Sequence, residues 1–363
     1  MLPEAASLLT KNLRISLQHS DKQIVSSFKK QPGELLGTGL DRLPHAMLLV
    51  GAEGLGKAVF GENLAHLMLC EAPSSHAACG ECQACRWMGG GNHPDFRHVK
   101  PGSDEEDEEG GREKAKKRSP GIIRIDQIRE LEPFVFVGSH RMGRRVVLLT
   151  EAEAMNNAAA NALLKILEEP PPSVYFILTS SRHRFLLPTI RSRCRIQAFS
   201  APEAADAQQV LSHAGLEPKD GRFLDLAGGA PLRVLKWKES GTLKPLEALI
   251  DTLLTPSSDP LNLAARWDGL LRSEPAFSLE HLVEEVQRWL FDLAQDRMGG
   301  RMRYHAGWPR LKSVPGKLDP VALLGAWQEL MQFRRSARHP LNQLLFLESM
   351  AAHFLRGMRP VAT

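Results

Sequence analysis

Three short apolar runs in the first half of the chain predict buried β-strands. They are Met47–Val50, the run that opens the segment Arg145–Glu151, and Val174–Leu178. Each run is continuous rather than alternating, which is typical of parallel strands covered on both faces. The last two end in polar residues, and Thr179, Ser180 and Ser181 follow Val174–Leu178.

Helical patterns separate these runs and then fill the second half of the chain. Asn156 or Asn157 is a suitable N-cap for a helix that continues to Glu169, and Pro170 ends it because proline cannot continue a helix. From Ala201 the pattern is helical almost throughout. It is interrupted at Gly228–Pro231, Thr255–Pro260 and Trp308–Pro315.

This order of elements predicts the domain organisation. Alternating strands and helices in residues 1–200 indicate an α/β domain with a parallel sheet. The remainder predicts a small helical domain at 201–243 and a larger helical domain at 244–363. A chain of 363 residues is long enough for two or three domains.

Composition and charge narrow the function classes only slightly. Charged residues make up 24% of the chain and the formal net charge is +4, which does not by itself mark a nucleic-acid binder. We expect a cytoplasmic protein without membrane contact, since the sequence contains neither a signal-peptide pattern nor an apolar run of spanning length. Residues 102–119 carry an acidic run followed by a basic run without large apolar residues, which predicts a disordered surface insertion.

The segment after the first strand resembles a phosphate-binding loop with one substitution. Gly51, Gly54, Gly56 and Lys57 fit the pattern G-x-x-x-x-G-K-[ST], but Ala58 stands where a Ser or Thr is expected. In a working loop, backbone N–H groups and the lysine bind the phosphates and the hydroxyl binds Mg²⁺. Alanine offers no oxygen to the metal ion.

The end of the Arg145–Glu151 strand has lost a second metal-binding group. P-loop ATPases place an Asp there, often followed by a catalytic Glu, whereas this chain has Thr150 and then Glu151. A neutral hydroxyl does not replace a carboxylate as a ligand for a hard cation. We therefore expect that ATP and Mg²⁺ are not productively bound, with an active but divergent ATPase as the alternative.

Four cysteines lie close together between the loop and the second strand. Cys70, Cys79, Cys82 and Cys85 supply the four thiolates that a closed structural Zn²⁺ site needs. The sequence thus predicts a zinc module at about residues 66–95. His66, His76 and His93 are interpreted as bystanders, and a redox CxxC pair or an iron–sulfur cluster are the alternatives.

These motifs together resemble one family. The chain has the degenerate loop, the four-cysteine insertion, the helix Asn161–Lys165 with Leu167–Pro171, and the triplet Ser192-Arg193-Cys194, followed by a helical tail with His339–Asn342. In this order they are similar to the delta-prime subunits of the bacterial DNA polymerase III clamp loader, which are AAA+ proteins. The similarity is densest from Pro44 to Cys194. The insertion at 102–119 is not a general feature of that family.

The resemblance implies a fold and a division of labour. It implies an AAA+ module, a small helical lid at 201–243 and a helical collar at 244–363 that packs in a five-subunit ring. It also implies that Arg193, flanked by Ser192 and Cys194, acts as an arginine finger in a neighbouring ATPase site. Arg233 lies where AAA+ lids place a phosphate-sensing arginine, and an ordinary helix arginine explains it equally well.

The implied partners are tau- or gamma-type ATPase subunits and a delta-type subunit, with the sliding clamp and primer–template DNA bound through the complex. The chain would then be a polymerase holoenzyme component without catalytic activity of its own. Two other functions compete with this one. The first is an active ATPase motor subunit, and the second is a zinc-dependent nucleic-acid binder, although the chain has few aromatic residues to stack on bases.

Overall fold

The computed structural model describes residues 40–74, 77–102, 121–136, 143–274, 276–308, 314, 318–337 and 342–359. Nearly all of the predicted insertion at 102–119 lies outside these residues, as do His76 and most of His339–Asn342. The chain divides into two compact units, with the boundary between Pro202 and Glu203.

The first unit is an α/β layer built on a parallel sheet. Its five strands lie in the order β2-β3-β4-β1-β5, and every neighbouring pair is parallel. The strands are β1 Ala46–Val50, β2 Phe96–Val99, β3 Arg145–Leu149, β4 Val174–Ser180 and β5 Arg195–Ala198. The helices of this unit are α1 Lys57–Leu69, α2 Gln83–Gly89, α3 Ile125–Arg129, α4 Leu131–Phe136, α5 Asn157–Glu168 and α6 Pro188–Arg193.

The three predicted strands form the centre of this sheet. Every residue of β1 and β3 is buried, and so is β4 except for half-buried Tyr175. Continuous burial is expected of a strand with neighbours on both edges and covered faces. The α/β prediction for the first part of the chain is therefore confirmed by a parallel sheet.

The two outer strands were not predicted from the sequence. β2 consists of Phe-Arg-His-Val and β5 of Arg-Ile-Gln-Ala, and each is only four residues long. Polar residues in both strands remain accessible to solvent because the strands lie at the edges of the sheet. Short edge strands of this kind lack the apolar run that identifies the central strands.

The helix after β3 begins and ends as its sequence indicates. Asn156 is its N-cap, and the Oδ1 atom accepts a hydrogen bond of 2.8 Å from the N–H of Ala159. The helix ends at Glu168, immediately before Glu169 and the proline run. Its apolar face, with Leu163 and Leu167, packs into the core shared with β3 and β4.

The second unit is helical. Its elements are α7 Ala204–His213, α8 Arg222–Leu226, α9 Pro231–Glu239, α10 Leu243–Leu254, α11 Pro260–Ser273, α12 Leu279–Arg297, α13 Pro320–Ser336 and α14 Gln343–Gly357. The predicted breaks at Gly228–Pro231 and Thr255–Pro260 separate successive helices. The division of this unit into a lid at 201–243 and a collar at 244–363 stays a prediction. Among the described helices, none combines the length and the apolar character needed to cross a bilayer.

A buried polar cluster lies within the second unit, around the imidazole of His305. Nε2 of His305 lies 2.8 Å from Glu285 Oε1, and Nδ1 lies 2.9 Å from Asp292 Oδ2. Asp292 also accepts the backbone N–H groups of Arg303, Tyr304 and His305. Because buried polar groups are costly unless they are paired, this cluster specifies how the loop after α12 folds back on it.

The cluster has opposite effects on the pKa values of its members. Burial alone would lower the pKa of His305, but the hydrogen bonds to Asp292 and Glu285 and the charges of these carboxylates outweigh burial and raise it. Burial alone would raise the pKa of Asp292, but the hydrogen bond from His305, the N–H of Arg303 and further contacts lower it. The charged pair is therefore favoured in the folded protein.

We expect His305→Asn to lower the free energy of unfolding by about 3 kcal/mol near pH 6, because it leaves buried carboxylates without their cation. The contribution of His305 is complete below its unfolded pKa of about 6.5 and is lost as the pH rises through its raised folded pKa. The contribution of Asp292 is complete above an unfolded pKa of about 3.9 and is lost as the pH falls through its lowered folded pKa.

Urea unfolding at several pH values should show the effect of the substitution shrinking at alkaline pH. Substituting the exposed His213 in the same way serves as the control, and an effect of His305→Asn that is constant with pH would contradict the assignment.

Candidate functional site

The loop after β1 has the conformation that its glycines permit. Gly54 and Gly56 have φ angles of 81° and 80°, which side-chain-bearing residues rarely adopt. A Cβ atom on Gly51 would lie 2.5 Å from the carbonyl oxygen of Phe199. Helix α1 begins directly after the loop at Lys57, and its N-cap, Gly56, brings no capping side chain.

Lys57 is the most buried charged group of this loop, with 6% of the residue exposed. Its Nζ donates hydrogen bonds to the carbonyl oxygens of Gly51 (2.9 Å) and Ala52 (2.7 Å) and to Ser181 Oγ (3.1 Å). All three partners belong to the protein. The ammonium group therefore connects the loop to the chain that leaves β4.

Three carboxylates offset part of the cost of burying this cation. Burial lowers the pKa of Lys57 to about 8, while the charges of Glu153, Glu53 and Glu151 act in the opposite direction. A lysine with this pKa is still mostly protonated near neutral pH. The loop thus holds a cation that is balanced by acidic side chains of the same chain.

The end of β3 carries no carboxylate at the position expected of an ATPase. Thr150 is 8% exposed, and its Oγ1 atom lies 3.2 Å from Nε2 of His98 at the end of β2. Burial lowers the pKa of His98, with a smaller contribution from Lys100, so the ring is neutral near pH 7. A neutral hydroxyl that is hydrogen-bonded to a neutral imidazole is a poor ligand for Mg²⁺.

The residues after β3 and β4 are joined by hydrogen bonds. The N–H of Glu151, which has a φ of 53°, donates to Thr179 Oγ1 at 3.2 Å. Glu153 Oε1 accepts the N–H groups of Ser181 (2.9 Å) and Arg182 (3.1 Å). The polar residues predicted to follow these strands are thus brought together at the carboxyl edge, where they also meet Lys57.

The four predicted metal ligands come together in space. The Sγ atoms of Cys70, Cys79, Cys82 and Cys85 all lie within 4.8 Å of one another. Three of the sulfur–sulfur distances are 3.7 Å for Cys70–Cys85, 3.8 Å for Cys79–Cys85 and 4.0 Å for Cys70–Cys82. A tetrahedral ion with metal–sulfur bonds of about 2.3 Å requires sulfurs about 3.8 Å apart. The cluster therefore fits a single metal ion, and its separations are far too long for disulfide bonds.

Backbone N–H groups support these sulfurs. The N–H of Cys79 donates to Cys70 Sγ at 3.2 Å, and the N–H of Gly80 donates to Cys85 Sγ at 3.3 Å. Hydrogen bonds from the N–H groups of Glu81 and Cys82 lower the pKa of Cys79 to about 6, whereas burial raises the pKa of Cys85. Metal binding would therefore release protons, since every ligating sulfur is a thiolate.

His93 and His66, which lie near the four cysteines in the sequence, do not belong to the sulfur cluster. His93 is buried, its Nδ1 accepts the N–H of Asp95 at 3.1 Å, and its ring packs edge-on against Trp87. Burial lowers the pKa of His66. In the part of the chain that the structure describes, the group that can hold a metal consists of the four cysteines alone.

The triplet Ser192-Arg193-Cys194 lies at the carboxyl end of α6. Ser192 Oγ and Arg193 Nη1 each donate a hydrogen bond of 3.0 Å to the carbonyl oxygen of Thr189. Cys194 is 8% exposed and belongs to the core, and burial raises the pKa of its thiol to about 11. The thiol therefore anchors the end of the helix, while the arginine beside it extends to the surface.

The guanidinium of Arg193 is paired with a carboxylate from another helix. Its Nη2 atom lies 2.7 Å from Oε1 of Glu168, the last residue of α5. The Arg193 side chain is 34% exposed and that of Glu168 is 50% exposed. Arg193 is therefore accessible from solvent while Glu168 and the carbonyl oxygen of Thr189 bind its guanidinium.

Arg233, the candidate lid arginine, lies in the second unit. Its Nη2 atom is 3.3 Å from Glu284 Oε1, and its guanidinium stacks over the ring of Trp237 at 5.0 Å. Glu284 is also paired with Arg288. These contacts are those of a helix arginine in a charged network, and a phosphate-sensing role stays a prediction.

Sequence reasoning missed the partners of the predicted site residues. His98 was not identified because it lies in an edge strand without an apolar pattern. Glu153 was visible only as an acidic residue after the third strand, and Glu168, although it belongs to the motif Leu167–Pro171, was not identified as the partner of Arg193. Pairing between side chains that are distant in the sequence has no periodic signal, so the sheet and the helix ends must be known before these partners can be named.

The sequence comparisons point to one group of proteins. Residues 37–203 match the family described as DNA polymerase III, delta subunit. The delta' subunit of DNA polymerase III from Pseudomonas aeruginosa is 38% identical over 232 residues, which cover 62% of this chain and 66% of that protein. The delta' subunit from Escherichia coli is 32% identical over 284 residues, which cover 77% of this chain and 76% of that protein.

More distant similarities include a gamma subunit and a gamma-subunit-related protein. A DNA polymerase III gamma subunit from Buchnera aphidicola is 25% identical over 268 residues, covering 71% of this chain and 68% of that protein. A solved gamma-subunit-related protein from Thermotoga maritima covers 91% of this chain at 18% identity with a TM-score of 0.39. That structural likeness is too weak to define a shared fold.

We expect Cys82→Ser to reduce the bound metal, because oxygen is a poorer ligand than thiolate for a thiophilic ion. Metal content measured by mass spectrometry should fall from one ion per chain, and thermal unfolding of the first unit should begin at a lower temperature because binding and folding are coupled. Cys194→Ser is the matched control, since this cysteine lies outside the cluster. Equal metal content in both variants would contradict the assignment.

Proposed function

The chain belongs to the delta-prime subunits of bacterial DNA polymerase III, and on that premise we propose that it is a non-hydrolysing subunit of the clamp loader. In this role it completes a ring with tau- or gamma-type ATPase subunits and a delta-type subunit. The ring loads the sliding clamp on primed DNA. This chain contributes Arg193 to the ATP site of its neighbour.

The accessible guanidinium of Arg193 is the observation that carries this proposal. The side chain projects from a short helix whose end is anchored by the buried Cys194. A guanidinium keeps its charge at all relevant pH values, and its planar arrangement of donors matches phosphate oxygens. An arginine supplied in trans can accelerate phosphoryl transfer by about 10³–10⁵-fold.

The phosphate loop of this chain supports the proposal that the subunit does not hydrolyse ATP. Ala58 offers no oxygen for Mg²⁺, and the hydroxyl of Thr150 is hydrogen-bonded to His98. The phosphate-binding lysine already has three protein acceptors. The general base position is retained as Glu151, but a base has little effect without a metal-aligned triphosphate.

The cysteine cluster supports a structural zinc site. Four sulfur ligands leave no open coordination position, which is the property that separates structural from catalytic zinc. Cys70 follows α1 and Cys82 caps α2, so the ion would fix the two helices relative to each other. We assign it no part in catalysis.

Arg193→Ala should leave the fold intact and reduce the turnover of the neighbouring ATP site by about 10³-fold or more. The measurement is DNA-stimulated ATP hydrolysis by the loader reconstituted with its motor and delta-type subunits, after its mass has verified assembly. Arg191→Ala is the control, because Arg191 lies on the same helix without belonging to the finger motif. A loader with unchanged hydrolysis would contradict the finger assignment, and hydrolysis by this chain alone would favour the motor-subunit alternative.

Restoring both lost metal groups, Ala58→Ser together with Thr150→Asp, should increase the affinity for ATP in the presence of Mg²⁺ by about ten-fold, which corresponds to about 1.4 kcal/mol. The physical reason is that a hydroxyl and a carboxylate supply the missing hard oxygens. Calorimetric titration with Mg²⁺ and with EDTA separates the metal-dependent part. The control is the variant with Ala58→Val and Thr150→Val. An unchanged affinity of the restored variant would mean that other contacts, such as those of Lys57, prevent nucleotide from binding in the loop.

A further inference from the structure

The ion pair between Glu168 and Arg193 joins the ends of two helices. Glu168 is the last residue of α5, and Arg193 is the last residue of α6. Each lies next to a buried neighbour, Leu167 at 2% and Cys194 at 8% exposure, and both neighbours belong to the same core. The backbones that carry the carboxylate and the guanidinium are therefore anchored to one core.

The ion pair with Glu168 leaves some N–H groups of the Arg193 guanidinium available to a ligand. Arginine has five N–H groups, and in the described structure one on Nη1 donates to the Thr189 carbonyl and one on Nη2 donates to Glu168. One hydrogen on each terminal nitrogen and the Nε–H group remain. The two protein acceptors thus restrain the guanidinium without using all the donors that a phosphate would need.

We propose that Glu168 is a positioning residue for Arg193. Its carboxylate holds the guanidinium in the orientation from which the remaining N–H groups reach the phosphates of the neighbouring subunit. The inference rests on the proposed finger role of Arg193. An arginine has several rotatable bonds, and fixing the side chain before the partner binds removes the entropic cost of ordering it in the transition state.

The exposure of the pair separates this role from a purely structural one. The two side chains are 34% and 50% exposed, and exposed ion pairs contribute little to stability because water and salt screen them. Removing the Glu168 carboxylate should therefore leave the thermal unfolding of the chain almost unchanged. An effect on turnover without an effect on stability is the property expected of a positioning residue.

The test compares Glu168→Ala and Glu168→Gln, each in the reconstituted loader. We expect Glu168→Ala to reduce the part of kcat that depends on Arg193 by up to about five-fold, which corresponds to the roughly 1 kcal/mol that an exposed ion pair contributes at most. KM for ATP should change little. Glu168→Gln should restore most of the rate, because its amide oxygen can still accept the hydrogen bond from Nη2.

Two controls accompany these variants. Glu169→Ala removes the adjacent exposed carboxylate and should have no effect on kcat. Glu168→Ala combined with Arg193→Ala should be no slower than Arg193→Ala alone, because the positioning residue acts only through the arginine. Thermal unfolding of each subunit shows whether a loss of rate reflects a loss of folded protein.

Several results would overturn the inference. Wild-type kcat in Glu168→Ala would show that the pair is incidental, and a faster rate would show that the carboxylate withholds the arginine. An additional loss in the double variant would show that Glu168 acts independently of Arg193. Wild-type turnover in Arg193→Ala would overturn the proposed finger role together with the positioning role, whereas a slow Arg193→Ala beside a normal Glu168→Ala would overturn the positioning role alone.

Discussion

The candidate nucleotide site depends on the parallel pairing of β3, β4 and β1. Leu149 pairs with Leu178, and Val50 pairs with Ser180, so the chain leaves all three strands at one edge of the sheet. The phosphate-loop residues after β1, Thr150 after β3 and Ser181 after β4 therefore meet there although they are far apart in the sequence.

At this edge the buried charge of Lys57 is satisfied without a ligand. An ammonium that is withdrawn from water must be paired or hydrogen-bonded, and the loop carbonyls with Ser181 supply the bonds while Glu153 and Glu151 supply opposite charge. The same carboxylates oppose the approach of a triphosphate, whose charge has the same sign. A loop of this kind can keep its folded conformation as part of the domain core even when it has no catalytic use.

The central part of this fold could be predicted from the sequence because it follows from patterns of burial. The apolar runs of β1, β3 and β4, the cap at Asn156 and the spacing of four cysteines each have a local physical cause. The outer strands have no such pattern, since Arg97 and His98 in β2 are exposed or partly exposed and polar. The contacts of Thr150 with His98 and of Arg193 with Glu168 depend on tertiary structure, which single-sequence patterns do not encode.

The two cations of the proposed mechanism differ in exposure, and this difference bears on their roles. Lys57 is 6% exposed and bonded to its own loop, so it can act only on a molecule that enters this chain's pocket and displaces those contacts. Arg193 lies at a helix end with its side chain 34% exposed, so a second protein can reach it without any rearrangement of the core. Burial of Cys194 anchors the backbone next to Arg193. Binding of the guanidinium by a second protein therefore requires ordering of only the Arg193 side chain. A protein whose loop lysine is bonded to its own chain and whose Arg193 is accessible is therefore suited to the role proposed for it.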